Sequence, residues 1–312
     1  MDLYLVTGGA GFIGSHLVDT LVRRGERVRV LDNFSSGKPA NLAGVQGDVE
    51  VIEGDLRDQG AVRRACAGAT VILHQGALPS VQRSIEDPLT SNAVNVDGTL
   101  NVLVAARDAG ARRIVLASSS SVYGDSPTLP KVETMSLDPR SPYAVSKLAA
   151  ERYALAWTAA YGLPAIALRY FNVFGPRQDP HSDYAAVIPR FVTRMLRGAP
   201  PIIFGDGLQS RDFTYVDDVV AANLCAAEAS PDISGAFNIA CGGRHTLLDL
   251  VAELNRVIGS DLRPQHEPPR AGEVRHSQAG IGAIAEALGF SPRYTFADGL
   301  ERTVAYFRDH EA

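Results

Sequence analysis

Four glycines within eight residues, Thr7-Gly8-Gly9-Ala10-Gly11-Phe12-Ile13-Gly14, follow the short apolar run Leu3-Tyr4-Leu5-Val6. They read as GxxGxxG from Gly8 or as GxGxxG from Gly9. Glycines placed this way let the backbone turn tightly after a strand and let a pyrophosphate approach the first amides of the next helix. Alone the motif is weak, but its order of strand, turn and helix narrows the choice of fold. Asp32 closes the second apolar run, 18 residues beyond Gly14. A carboxylate there can accept hydrogen bonds from an adenosine ribose and would repel a 2′-phosphate, while Asn33 offers no cation to bind one. The pair favours NAD over NADP.

The rest of the N-terminal half fits the same unit. Val28-Arg29-Val30-Leu31, Val49-Glu50-Val51-Ile52, Val71-Ile72-Leu73-His74, Ile114-Val115-Leu116-Ala117 and Ala165-Ile166-Ala167-Leu168 are further strand candidates. Helical patterns such as 14–24 and 94–109 separate them. The expected fold class is α/β: a Rossmann-like, doubly wound parallel sheet. After Phe171, Pro176, Pro180, Pro189, Pro200 and Pro201 break the pattern, and three prolines fall within 264–269. A smaller, loop-rich α/β substrate domain is expected there. Phe237-Asn238-Ile239-Ala240 looks like one more core strand, so residues 1–171 and 212–241 are assigned to the first domain. Residues 172–211 and 242–312 are assigned to the second.

A chain of 312 residues with 46% apolar and 21% charged residues can bury a large core. The net charge of −5 and the lack of a Lys/Arg cluster argue against nucleic acid as a partner. Cys66, Cys225 and Cys241 lack disulfide or zinc spacing. His74, His181 and His276 are too dispersed to imply a metal, and structural roles are expected for them. No leader pattern or membrane-length apolar run is present, so a cytoplasmic location and no membrane partner are expected.

Chemistry enters at Ser141-Pro142-Tyr143-Ala144-Val145-Ser146-Lys147. Four residues on a helix place phenol and ammonium on one face, where the cation favours a phenolate able to act as a base. Asp55 and Leu56, after the third strand, are candidates to flank the adenine, with a helix N-cap an equal reading for Asp55.

With these residues in hand, the chain resembles the extended short-chain dehydrogenase/reductases, and within them the UDP-sugar 4-epimerases. The likeness is carried by TGGAGFIGSH at 7–16, LDNFSSG at 31–37, NVDGTLNVL at 95–103, SSSSVYG at 118–124, SPYAVSK at 141–147, RYFNVFGP at 169–176, SRDFTYVDD at 210–218 and RAGEVRHS at 270–277. The resemblance implies a bound NAD that takes a hydride from C4 of the sugar and returns it to the other face. It implies that Tyr143 removes the 4-hydroxyl proton and that Lys147 lowers the phenol's pKa while holding the nicotinamide ribose. Ser119 would hydrogen-bond the reacting oxygen and relay its proton; by itself it is one of four consecutive serines. Gly8, Gly11, Phe12, Ile13, Gly14, Asp32, Asn33, Ser35, Gly37, Asp55, Leu56, Gly76, Ala77, Asn95 and Ser118 complete the implied cofactor contacts. Phe171 would lie beside the nicotinamide, or else be a core aromatic.

For the substrate, the resemblance implies that Asn172 binds a diphosphate oxygen and that Arg211 and Arg270 clamp it, although each arginine alone reads as a surface charge. Val187, Ile202 and Phe204 would wall the uracil. Glu273, where these epimerases commonly carry Asp, would hold the uridine ribose. The related dehydratases carry Thr-Asp-Glu where this chain has Ser119, Ser120 and Ser121, and decarboxylases usually carry Glu at 121, so epimerisation is the expected reaction. Ser277 stands where a bulky Tyr restricts the pocket to glucose and galactose, so N-acetylated sugars are expected to fit. The rival enzyme reading is a UDP-glucuronate 4-epimerase or decarboxylase. A different class is a non-catalytic NAD-binding sensor, whose relatives typically lose the Tyr or the Lys. A homodimer through helices beginning near Thr90 and Pro142 is implied by the family.

Overall fold

The structure, a computed structural model, describes residues 2–45, 47, 49–181, 185–269 and 275–311. The first strand, β1 (Leu3–Thr7), is buried at every position and runs straight into α1 (Phe12–Arg23). Then come β2 (Arg27–Asp32), β3 (Val49–Glu53), α2 (Gln59–Cys66), β4 (Val71–His74), α3 (Val81–Glu86), α4 (Pro88–Asn92), α5 (Gly98–Asp108), β5 (Arg113–Ser119), α6 (Pro142–Tyr161) and β6 (Ala165–Tyr170). The chain continues through β7 (Val173–Phe174), α7 (Val187–Leu196), β8 (Ile202–Phe204), β9 (Ser210–Arg211), β10 (Thr214–Tyr215), α8 (Val216–Glu228) and β11 (Gly235–Ile239). It ends with β12 (His245–Thr246), α9 (Leu247–Ile258), β13 (Gln265–Glu267), α10 (Gly282–Leu288) and α11 (Phe296–Glu311).

Seven strands form one sheet in the order β3-β2-β1-β4-β5-β6-β11, and its neighbouring strands pair in parallel. Alternate residues of each strand feed the two faces. Tyr4, Val6, Val28, Val30, Val115 and Ile166 pack with α1 and α8, whereas Leu3, Leu5, Leu31, Ile72, Ile114 and Ala165 pack with α2, α5 and α6. Strand order reverses between β1 and β4, with Thr7 in register with Leu31 on one side and His74 on the other. That is where open α/β sheets leave a crevice for a ligand.

The expected return of the chain to the sheet is observed, since β11 pairs with β6 from Gly235↔Ile166 to Ile239↔Tyr170. The stretches on either side associate through β8 with β13 and β9 with β12. They share a separate core that includes Phe191, Ile203, Phe213, Leu250, Leu254, Val304 and Phe307. Ile284 of α10 and Phe290 join the sheet's core instead.

The helix expected over 94–109 is corrected. Helical structure begins at Pro88, capped by Asp87, whose Oδ1 accepts the Thr90 N–H, and continues through a π-turn at Ala93–Asp97 into α5. The cap lies upstream of the apolar periodicity, so periodicity alone starts the helix too late. No helix among the described residues is long and apolar enough to cross a membrane.

Candidate active site

Helix α6 owes its sharp start to Ser141, whose Oγ accepts the Ala144 N–H at 3.1 Å, and to Pro142 in the first turn. This fixes Tyr143 and Lys147 against β5. Lys147 is 6% exposed, and its ammonium donates to the Ala117 carbonyl at 2.7 Å. Burial pushes its pKa down to about 8. The Tyr143 phenol is raised above the ordinary tyrosine range by burial and pulled back by a hydrogen bond with Ser119. Ser119 is the cap of a short 3-10 turn, Ser120–Tyr123, and its Oγ accepts the Ser121 N–H at 3.2 Å. The three residues expected to carry the chemistry are thus brought together.

The glycine turn builds the wall opposite. Gly8 has φ +67, which favours glycine, and a Cβ there would lie 2.8 Å from Gly76 backbone atoms. At Gly14 a Cβ would sit 2.1 Å from the Gly8 carbonyl oxygen. The N-terminus of α1 has no side-chain cap, so its first amides are left for an anion. Asp32, 7% exposed, accepts the Ala10 N–H on Oδ2 and the Phe34 N–H on Oδ1, both at 2.9 Å. These bonds aim the carboxylate while each oxygen keeps a further lone pair. A Cβ on Gly37 would come 2.9 Å from both carboxylate oxygens, so the loop closes over Asp32 because residue 37 lacks a side chain.

Gly8, Gly11, Phe12, Ile13, Gly14, Asp32, Asn33, Ser35, Asp55, Leu56, Gly76, Ala77, Ser118, Tyr143 and Lys147 all line this cleft. A strand-to-helix turn tight enough to require glycine, open amides and an aimed carboxylate together fit a dinucleotide. Such a cofactor would bind its pyrophosphate on α1 and its adenosine ribose on Asp32.

Three expectations need correction. Phe171 does not reach the cleft: it is 0% exposed and packs in a core with Val122, Tyr123 and Ala240, so the core reading prevails. Its neighbour Tyr170 lines the cleft instead, its hydroxyl 3.1 Å from both Gln75 Oε1 and Asn223 Oδ1. Asn95 is also buried, accepting the Leu78 N–H at 2.8 Å and donating to Leu78 O and Ser146 Oγ. It fixes the cleft wall rather than lining it. The cap reading of Asp55 fails too, because Asp58 caps α2. Asp55 stays at the cleft, held as a carboxylate by Arg57 and, at 2.8 Å, by Asn33.

A second cleft is lined by Asn172, Val187, Ile202, Phe204 and Arg211, joined by Gln209, Arg190, Phe191 and Phe213. Asn172 adopts φ +36 and its Nδ2 donates to Asp212 O at 3.0 Å. Arg211 Nη1 donates to the carbonyls of Ser210 and Arg275 at 3.0 and 3.1 Å, which orients the guanidinium. Ser277 is half-buried beside these residues, its N–H donating to Ser210 O at 3.0 Å. Arg270 and Glu273 lie outside the described residues. Of the histidines, His74 Nδ1 lies 2.7 Å from Thr7 Oγ1 and its Nε2 3.0 Å from Thr99 Oγ1, a closed structural arrangement. His276 Nδ1 similarly lies 2.8 Å from Ser210 Oγ, and the His181 N–H donates to Asp179.

Sheet, glycine turn and Tyr-Lys-Ser cluster together define a nucleotide-dependent enzyme acting beside a bound dinucleotide. The NAD dependent epimerase/dehydratase family matches residues 4–240, and this chain belongs to it, with NAD as its cofactor. It is 39% identical over 310 residues to a UDP-glucose 4-epimerase of Mycolicibacterium smegmatis, covering 98% of each chain. A UDP-N-acetylglucosamine 4-epimerase from Methanobrevibacter ruminantium, solved with UDP-N-acetylmuramic acid, superposes with a TM-score of 0.95 at 39% identity, over 99% of this chain and 98% of that one. A UDP-N-acetyl-alpha-D-glucosaminuronate decarboxylase of Bacillus cytotoxicus is 32% identical over 320 residues, 98% of each chain.

Proposed function

We propose that this NAD-dependent epimerase inverts C4 of UDP-hexoses, interconverting UDP-glucose with UDP-galactose and UDP-GlcNAc with UDP-GalNAc. The observation that carries the reading is the pair Tyr143 and Lys147 lining the cleft, with Ser119 acting on the phenol, followed by Ser120 and Ser121 where a dehydratase needs carboxyls. Bound on the α1 turn and Asp32, NAD would supply a reversible hydride acceptor for C4. Tyr143 takes the 4-hydroxyl proton. The Lys147 ammonium, one helical turn away, favours the phenolate and binds the nicotinamide ribose. Ser119 donates to the reacting oxygen or to the phenol. Asn172, Arg211 and Arg270 hold the diphosphate, and Val187, Ile202 and Phe204 flank the uracil, with Glu273 on its ribose. In domain terms, residues 1–171 and 212–241 hold the cofactor, and 172–211 and 242–312 hold the nucleotide sugar.

Ser277, a small residue at the sugar end, supports acceptance of the N-acetyl group, as does the similarity to a UDP-N-acetylglucosamine 4-epimerase. Likeness to a decarboxylase keeps UDP-glucuronate chemistry as the second reading. One experiment separates them. Purified protein is incubated with UDP-galactose, UDP-GlcNAc and UDP-glucuronate, and the products are resolved by chromatography. C4 epimers of the first two are expected. Formation of neither would sink the proposal, and carbon dioxide or UDP-galacturonate from the third would favour the rival. We also propose that the protein is a homodimer, because α3, α4 and α6 pack together and expose Ile85, Leu89 and Val145.

A further inference from the structure

A hydroxyl oxygen has two lone pairs to accept with and one proton to donate. At Ser119 both acceptor positions are taken by one residue. Ser121 Oγ donates to Ser119 Oγ at 2.9 Å, and the Ser121 main-chain N–H donates to the same oxygen at 3.2 Å. The Ser119 proton therefore has to be donated outward, toward α6, which packs against β5 and this turn, and Tyr143 is the α6 side chain whose titration Ser119 lowers. We propose that Ser121 is a positioning residue whose hydroxyl locks Ser119 as a donor to Tyr143, so that the phenolate itself takes the substrate's proton.

The inference rests on the catalytic reading of Tyr143 and Ser119 given above, and it decides between two routes which that reading left open. In a relay, Ser119 would accept the 4-hydroxyl proton while passing its own to Tyr143, which requires a vacant lone pair on Ser119. Both are occupied unless the Ser121 hydroxyl turns away. In the direct route, the 4-hydroxyl proton goes to the Tyr143 oxygen, the C4 hydride goes to the acceptor that bound NAD would supply, the C–O bond becomes a carbonyl, and Ser119 keeps its proton throughout. The direct route needs no rearrangement of the turn. It also gives residue 121 a function in a chain that lacks a carboxyl there: a neutral donor orients its neighbour where an acid would protonate a leaving group.

Ser121→Ala tests this. The main-chain N–H of residue 121 can still donate to the capping Ser119 Oγ, so the backbone is kept while the hydroxyl is lost. Lys147, Tyr170, Asp32 and Asp55, the titratable groups lining the cleft, stay in place, as does the buried His74 behind them. With Ser119 freed to rotate, the phenolate loses part of its donor. In the purified protein, the tyrosinate difference spectrum taken against Tyr143→Phe is expected to move up by about half a pH unit to one unit. The acid limb of kcat should move with it, kcat for UDP-galactose should fall about 5- to 20-fold with KM unchanged, and Ser121→Thr should restore all three. An S121A protein with the parent's titration and acid limb overturns the inference. So does a rise in KM at constant kcat, which would make Ser121 a substrate contact. Should S121A fail to fold, Ser121→Cys, a weaker donor, makes the same comparison. Unchanged turnover in Tyr143→Phe would instead overturn the catalytic reading itself, so the two failures are distinct.

Discussion

Tyr143→Phe removes one oxygen from a side chain whose ring stays packed, so its effect reports chemistry rather than folding. Loss of the general base is expected to lower kcat about 10²- to 10⁴-fold with NAD still bound, read by turnover and by the cofactor's absorbance. Gly14→Ala should act the other way round. The added carbon would meet the Gly8 carbonyl oxygen at 2.1 Å, so the turn must open and NAD binding should be lost even though the phenol is intact. Both sites were legible from sequence, because glycine and the Tyr-Lys pair are each required by a backbone or charge constraint that few residues satisfy. Phe171 and Tyr170 were not. All six residues of β6 are buried, so alternation leaves no mark on the sequence, and a shift of one residue exchanges the cleft wall for the core.

At the level of elements, α6 is tied to the sheet by a buried pair that the motifs did not show. Arg169 of β6 donates to Glu151 through Nε at 2.9 Å and Nη2 at 2.6 Å, while Ser118 Oγ donates to Glu151 Oε2 at 2.8 Å. Glu151 is 0% exposed and one turn beyond Lys147, so this pair sets how the catalytic helix lies on β5. Glu151→Gln strands a buried guanidinium and is expected to destabilise the fold by about 3–5 kcal/mol, measured by denaturant unfolding. No local pattern could reveal it, since the partners lie 18 residues apart on different elements.

His74 gives β4 a pH dependence. Thr99 Oγ1 donates to the Asn95 carbonyl, so it accepts from His74 Nε2, and Nδ1 accepts from Thr7. Burial holds the ring neutral, its pKa lowered from the ordinary 6.5 to about 3. The unfolded chain therefore binds the proton first. The stabilising contribution is full above 6.5 and is lost as pH falls, at about 2 kcal/mol between pH 6.5 and 5. Asp212 works in the opposite sense, because burial raises it to about 6 although three main-chain N–H groups favour its charged form. His74→Asn isolates the histidine: its urea midpoint should fall less between pH 7 and 5 than that of the parent.

For the whole molecule, the doubly wound sheet and the return of the chain through β11 were legible because strand runs and proline-rich breaks are properties of composition along the chain. The placement of α10 on the sheet's core was not, since a short helix carries too few apolar positions to show which of two cores it serves. The outer face of α3, α4 and α6 raises the remaining question. Leu89 is 82% exposed, Ile85 57% and Val145 52%, and a shallow hollow joins Leu89 and Val145 through Pro88, Pro139 and Pro142. An exposed apolar hollow of this kind is what the proposed contact between copies would use. In the homodimer proposed above, a second copy of the chain would cover this face of α6, the helix that carries Tyr143 and Lys147. Leu89→Asp combined with Val145→Asp places charge on that face without touching the core. The pair is expected to convert a dimer to a monomer by light scattering at micromolar concentration, with NAD retained in the cleft. A parent protein that already sediments as a monomer would rule the dimer out. A variant that stays dimeric would put the interface elsewhere on the molecule.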